Sequence, residues 1–209
     1  MMLLALAVMP LFSLDRYEMR MAHYHTPAVM TFEYRLEQVG DHSVTQTHRI
    51  YRTTLLERDE ILALGEIKIK PKIRIYRNRP NTYAVEAIAP RKATYSFAYM
   101  NSVKVENHVG YWYRTTPLNH VHGALVTGVL IDGQNGLPLT IQVANNIAGL
   151  MGKGQLTYGN IDGVWVVHDI TATATFTAPA HVTKTIREHF SFTNYHFPQT
   201  LPAATFGGL

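Results

Sequence analysis

From Val164 to Thr177 the chain alternates with a period of two. Val166, His168, Ile170, Ala172, Ala174 and Phe176 fall on one face; Asp169, Thr171, Thr173, Thr175 and Thr177 fall on the other. A helix cannot gather an apolar face from that pattern, so the segment is a long strand with one wet side. It closes a stretch from Gly128 to Phe176 that reads as two hairpins. Asp132-Gly133 and Asn135-Gly136 supply residues that tolerate positive φ in the first turn, and Pro138 restarts the chain after them. Asn160-Ile161-Asp162-Gly163 does the same for the second. The chain is therefore an antiparallel sheet protein.

At 209 residues it suits one β domain. Hydrophobic residues at 46% are enough for a core, while charged residues at 16% are few for a soluble surface. The 12 tyrosines suit a sheet face that is partly wet or that holds a ligand. A formal charge of +4 is modest and much of it sits in one strand; with no nucleic-acid-reading motif, nucleic acid is not expected as a partner. The absence of cysteine removes thiol catalysis, thiolate metal sites and lipidation at an N-terminal Cys.

The N-terminal MMLLALAVMPLF is too short for a bilayer core of ~30 Å. It matches the apolar part of a secretory signal, with Ala5-Leu6-Ala7 as a small-x-small site, although no Lys or Arg precedes the run. The expected division is an apolar segment 1–12, read as a truncated signal that directs export, and a single β domain 13–209. The other reading of 1–12 is an apolar segment docked on the sheet. Ser13 is the expected cap of a short helix from Leu14 to about Tyr24, with Pro27 beyond it. Leu14, Tyr17, Met21 and Tyr24 form its stripe, which must lie against the sheet. His23 and His25 read as favourable charges at its C-terminal end.

Met30, Phe32, Tyr34 and Leu36 then share one strand face, and a return run passes through Val44, His48 and Ile50. RIYRTTLLERDEILALG has no clean period; its Glu57, Asp59 and Glu60 read as a solvated face or turn. In EIKIKPKIRIY the isoleucines oppose Lys68, Lys70, Lys72 and Arg74, and Pro71 places the strand at a sheet edge or a bulge. That lysine row either blocks edge-to-edge pairing or faces an anionic partner. After TYAVEAIAP, Tyr95, Phe97 and Tyr99 share a face, and Tyr111-Trp112-Tyr113 must put an aromatic on each side. His120-x-His122 lacks further partners at ligand spacing, so no metal is expected. NNIAGLMGKG, with Ile147, Leu150 and Met151, fits a lid-like flap and equally an apolar loop. The last strand runs from Val182 to about Tyr195, with Lys184, Glu188 and Asn194 on the face of Ile186, Phe190 and Phe192. No P-loop, GxGxxG, HExxH or GxSxG is present, so neither an enzyme nor a cofactor is expected.

A helix after an export-like N-terminus, long strands, the LIDGQNGLPL hairpin, a Tyr-Gly-x-x-Asp-Gly-x-Trp turn and a closing FTNYHFPQTLPAATF strand resemble the outer-membrane lipoprotein-sorting family of LolA- and LolB-like proteins. The likeness spans roughly Val29 to Phe206. It implies a mainly β fold: a single curved antiparallel sheet, or open half-barrel, with an N-terminal helix and short lid-like segments. It also implies a periplasmic or otherwise exported, non-enzymatic carrier or sensor. Such a carrier binds lipid acyl chains or a lipoprotein on its concave face and has peripheral rather than integral membrane contact. The expected lining is Phe32, Tyr34, Leu36, Tyr95, Phe97, Tyr99, Phe190 and Phe192, with Ile147, Leu150 and Met151 as the lid. The alternative is a partner-binding or structural envelope domain with a packed core and no lipid ligand.

Overall fold

The computed structural model describes residues 2–106, 108–120, 123–147, 150–177 and 183–207, with side chains from residue 13 onward except those of 146, 147 and 177. The strands are β1 (Met30–Val39), β2 (Val44–Arg52), β3 (Leu56–Leu64), β4 (Ile67–Arg77), β5 (Tyr95–Val105), β6 (His108–Pro117), β7 (Ala124–Asp132), β8 (Pro138–Ile147), β9 (Leu150–Ile161), β10 (Val164–Thr177) and β11 (Thr183–His196). They form one unclosed, curved antiparallel sheet of 11 strands in the order β4-β3-β2-β1-β11-β10-β9-β8-β7-β6-β5. The expected fold class is the one that forms. Turn chemistry fixes the hairpins. The Asp132 carboxylate accepts the Gln134 N–H at 2.7 Å and Asn135 Nδ2 at 2.8 Å, and Asn160 Oδ1 accepts the Gly163 N–H at 2.8 Å.

Strands β4 and β5 are the two edges, so the connection 78–94 must travel from one side of the sheet to the other. It does so as a strap across the concave face, carrying a 3-10 turn at Val85–Ala87. Tyr83 packs edge-on against Phe32 at 4.8 Å, and Glu86 takes the Thr26 N–H and hydroxyl, both at 2.7 Å. Helix α1 (Met2–His23) lies over the same face. Leu14, Tyr17 and Met21 are buried, and the Tyr17 hydroxyl donates to the Pro90 carbonyl of the strap at 2.7 Å. Burying each such apolar side chain contributes roughly 1.5–3 kcal/mol.

Four expectations change. The helix begins well before Leu14, so Ser13 is not its cap. Its hydroxyl is instead 2.8 Å from the Tyr113 hydroxyl, which satisfies it within the helix. In β10 a bulge between Val167 and Asp169 resets the alternation. Val167 faces inward opposite Tyr158, and His168 is turned out beside Gly159, where an added Cβ would stand 2.8 Å from the imidazole. In β11 the register shift opposite Thr31–Glu33, with Asn194 at φ 56°, turns Tyr195 rather than Asn194 inward. Finally, Glu57, Asp59 and Glu60 are not a solvated face: they lie inside β3 and are buried. Burial is tolerated because each has a partner: Glu57 is ion-paired with Arg52 and with Arg79 at 2.6 Å, Glu60 with Arg58 at 2.5 Å, and Asp59 is hydrogen-bonded to His48 at 2.7 Å.

Candidate functional site: the open part of the concave face

Cross-strand neighbours share a face, so the pairings give the concave surface row by row. One row reads Ile141, Leu156, Ile170, Phe190, Leu36, Gln46 across β8, β9, β10, β11, β1 and β2. The next reads Val143, Gly154, Ala172, Glu188, Gln38, Val44. Beyond it come Asn145, Gly152, Ala174 and Ile186, then Leu150, Phe176 and Lys184. The core lies on the other side of the first row, under α1 and the strap. Val143, Ile170 and Phe190 pack against its edge, half-buried; Leu36, Ala172, Ala174 and Ile186 are half-buried outside it, and Phe176 is 39% exposed.

This outer stretch is a trough. Its floor on β9 and β10 is made of Gly152, Gly154, Ala172 and Ala174, and larger side chains stand on the flanking strands. A Cβ added at Gly154 would meet Val143 Cγ2 at 3.3 Å and Ala172 Cβ at 3.8 Å, which places all three on one surface. Glu188 is the inward carboxylate, half-buried, and has no ion-pair partner among the described residues. The rim holds the Lys184–Asp41 pair at 2.5 Å.

All eight expected lining residues belong to the strands foreseen, but they form two separate groups. Phe32 and Phe192, 1% and 4% exposed, are covered by the protein's own rings, Tyr83 standing 4.8 and 6.2 Å from them. Tyr34 is half-buried, stacked on His48 at 4.5 Å and tilted against Phe190 and Phe192. Leu36 and Phe190 are paired at the trough's edge. Tyr95, Phe97 and Tyr99 sit on edge strand β5, separated from β11 by β10, β9, β8, β7 and β6. There the Tyr95 hydroxyl accepts the Val126 N–H at 3.3 Å, Phe97 packs 6.1 Å from Tyr17, and Tyr99 is 45% exposed.

Of the lid residues, Leu150 begins β9 and faces inward opposite Phe176, while Met151 faces outward opposite Thr175. They are the end of the β8–β9 hairpin; the Ile147 side chain and residues 148–149 lie outside the described residues. The alternation of apolar residues does not mark the floor positions Gly152, Gly154, Ala172 and Ala174 as a site. Their sequence signal is a pair of small residues spaced by two on each of two adjacent strands.

The charged end of the same face is committed to structure. Burial raises the Tyr34 phenol well above its ordinary value, helped by the Asp59 carboxylate, and burial likewise raises Tyr83, helped by Glu57. On the outer face Ser191, His189 and Asp169 cluster, but Asp169 at 3.0 Å and Ser191 at 3.3 Å both meet the same His189 Nε2. A relay needs opposite ring nitrogens, so this is not a catalytic triad. His120 is exposed and His122 lies outside the described residues; no metal-binding group of His, Asp or Glu occurs among those described. Nor is any described helix long and apolar enough to cross a membrane.

No family model matches the chain, and no curated protein matches it. Among solved structures it is similar to a LolA superfamily protein from Nitrosomonas europaea (10% identity, TM-score 0.45, covering 93% of this chain and 95% of that one). It is also similar to a DUF1329 family protein from Desulfovibrio piger (12%, 0.48, 94% and 96%). A third is a protein described as an outer membrane lipoprotein-sorting domain from Vibrio parahaemolyticus (13%, 0.47, 93% and 95%).

Proposed function

We propose that this chain is an exported, non-enzymatic carrier or sensor that holds a lipid acyl chain, free or on a lipoprotein, in the open part of its concave face. The observation that carries the reading is the glycine–alanine floor on β9 and β10, flanked by Leu36, Val143, Ile170, Ile186 and Phe190 and lying beyond α1 and the strap. Each methylene laid on such a surface contributes roughly 0.8 kcal/mol, so a chain of several carbons binds without covalent chemistry. Leu36, Phe190 and Tyr34 form one wall in this reading. Phe97, Tyr95 and Tyr99 belong to a second apolar patch on β5, and Phe32 and Phe192 support the wall from beneath. Leu150, the inward residue at the end of the β8–β9 hairpin, closes the far end as the lid. Residues 1–12 serve as the export segment, placing the domain in the periplasm or its equivalent with peripheral membrane contact.

The test is native mass spectrometry of protein purified from a lipid-containing host, followed by extraction. Co-purified acyl species are expected; protein that is lipid-free and takes up no fatty acid on incubation overturns the reading. The packed half of the concave face favours a second reading, an envelope domain that recognises another protein through its edges, and the lipid-free result would leave that one standing.

A further inference from the structure

At the end of the sheet opposite the trough, α1 crosses the β7–β8 and β9–β10 turns and leaves a cleft of about 790 Å³. Arg16, Arg20 and His23, spaced four and three apart, project from one side of α1 into its lining. The helix's acidic residues turn elsewhere, Asp15 to Lys92 at 2.6 Å and Glu18 to Arg91 at 3.1 Å, and the lining contains no carboxylate.

The walls are held in place. Arg16 Nη1 donates to the Gly133 and Gln134 carbonyls at 2.9 and 2.7 Å, and Arg20 Nε donates to the Asn135 carbonyl at 3.2 Å. Gly136, at φ +73°, lets the turn approach the helix: a Cβ there would stand 2.7 Å from Arg16 Cγ. Across the cleft the Trp165 N–H donates to the Tyr24 hydroxyl at 2.6 Å, and its indole N–H donates to the Pro138 carbonyl at 2.6 Å. Met19, 61% exposed, stands at the rim.

We propose that this cleft docks the phosphate-bearing headgroup of an anionic lipid at a membrane surface. Guanidinium groups match phosphate oxygens in charge and fork geometry. The exposed Met19 at the rim and the half-buried ring of Tyr24 supply an apolar contact beside the cations, which a freely dissolved phosphate would not require. The site is remote from the trough, so it orients the carrier on the membrane and does not hold the cargo.

Flotation of the full chain with phosphatidylcholine vesicles, and with an equal mixture of phosphatidylcholine and phosphatidylglycerol at fixed ionic strength, tests this. Binding to the mixed vesicles is expected to exceed binding to phosphatidylcholine alone. Arg20→Gln should weaken it about fivefold, the effect of one cation at an anionic surface. Arg20→Lys should restore only part of it, because the charge returns without the fork, and Lys70→Gln on β4 should leave it unchanged. His23→Gln serves as a second variant should Arg20→Gln melt early. Equal loss for Lys70→Gln and Arg20→Gln overturns the proposal in favour of diffuse charge. Absence of vesicle binding overturns it too, as does tight binding of glycerol phosphate without vesicle binding. Ala172→Leu, in the trough, should leave vesicle binding intact, so failure here is separable from failure of the carrier reading.

Discussion

Replacing Ala172 by Leu raises the trough floor and should cost the bound chain its contact there. Ala172 faces inward between Gly154 and Glu188, and Thr173 faces the outer surface between Lys153 and Arg187. The leucine adds about three carbons over the floor and displaces a similar length of ligand. At roughly 0.8 kcal/mol per methylene the loss is about 2.4 kcal/mol, a factor of about 60 in the dissociation constant. Thr173→Leu places the same side chain one residue away on the other face and should change affinity less than about twofold. Displacement of a fluorescent fatty acid measures both, with thermal melting to show that each variant folds. The reasoning is refuted if the neighbouring substitutions act alike, or if Ala172→Leu binds as the parent does, because the period of two is the whole basis for placing the ligand.

Two further outcomes concern stability. Glu57 is 1% exposed and neutralises Arg52 and Arg79 together, so Glu57→Ala leaves two cations at the start of the strap and should cost about 3–5 kcal/mol in urea unfolding; a loss below about 1 kcal/mol would mean that the network is solvated. Burial holds the phenols of Tyr17, Tyr34, Tyr83, Tyr158 and Tyr195 above the ordinary value of 10.0. A raised folded-state pKa means that the unfolded chain releases these protons first, so their contribution is complete below pH 10 and is lost as pH rises beyond it. The urea midpoint should be level up to about pH 10 and then fall, with phenolate absorbance from these residues arriving only with unfolding; their ionisation in the folded protein would contradict this.

The strands and hairpins were readable because turn chemistry and alternation are local. Asp132-Gly133, Asn160 and Gly163 form the turns that their residue types imply. What was not readable depends on a single extra residue or on a distant partner. Nothing in Val166-Val167-His168 announces the bulge that turns His168 outward; the space for its ring comes from Gly159 on another strand. Likewise ERDE looks solvated until Arg52, Arg79 and His48 are brought beside it. Aromatic residues in an apolar register read as ligand walls, yet large rings are also what a core consumes, and Phe32 and Phe192 are consumed that way. The trough floor escapes a sequence reading for the converse reason: the smallest side chains carry no apolar signal of their own.

That contrast runs along individual strands. β9 carries Tyr158 and Leu156 beneath the helix and strap, then Gly154 and Gly152 beyond them; β10 carries Trp165 and Val167, then Ala172 and Ala174. A glycine inside a strand sacrifices about 0.5–1 kcal/mol relative to alanine and offers no side chain to its neighbours. Large residues would have extended the core at those positions and stabilised the sheet. The buried core lies in the half that α1 and the strap clamp, and the other half of the same face adds little to it. Small residues on two adjacent strands, at four positions where bulk would have helped stability, are what the proposed acyl-chain surface requires.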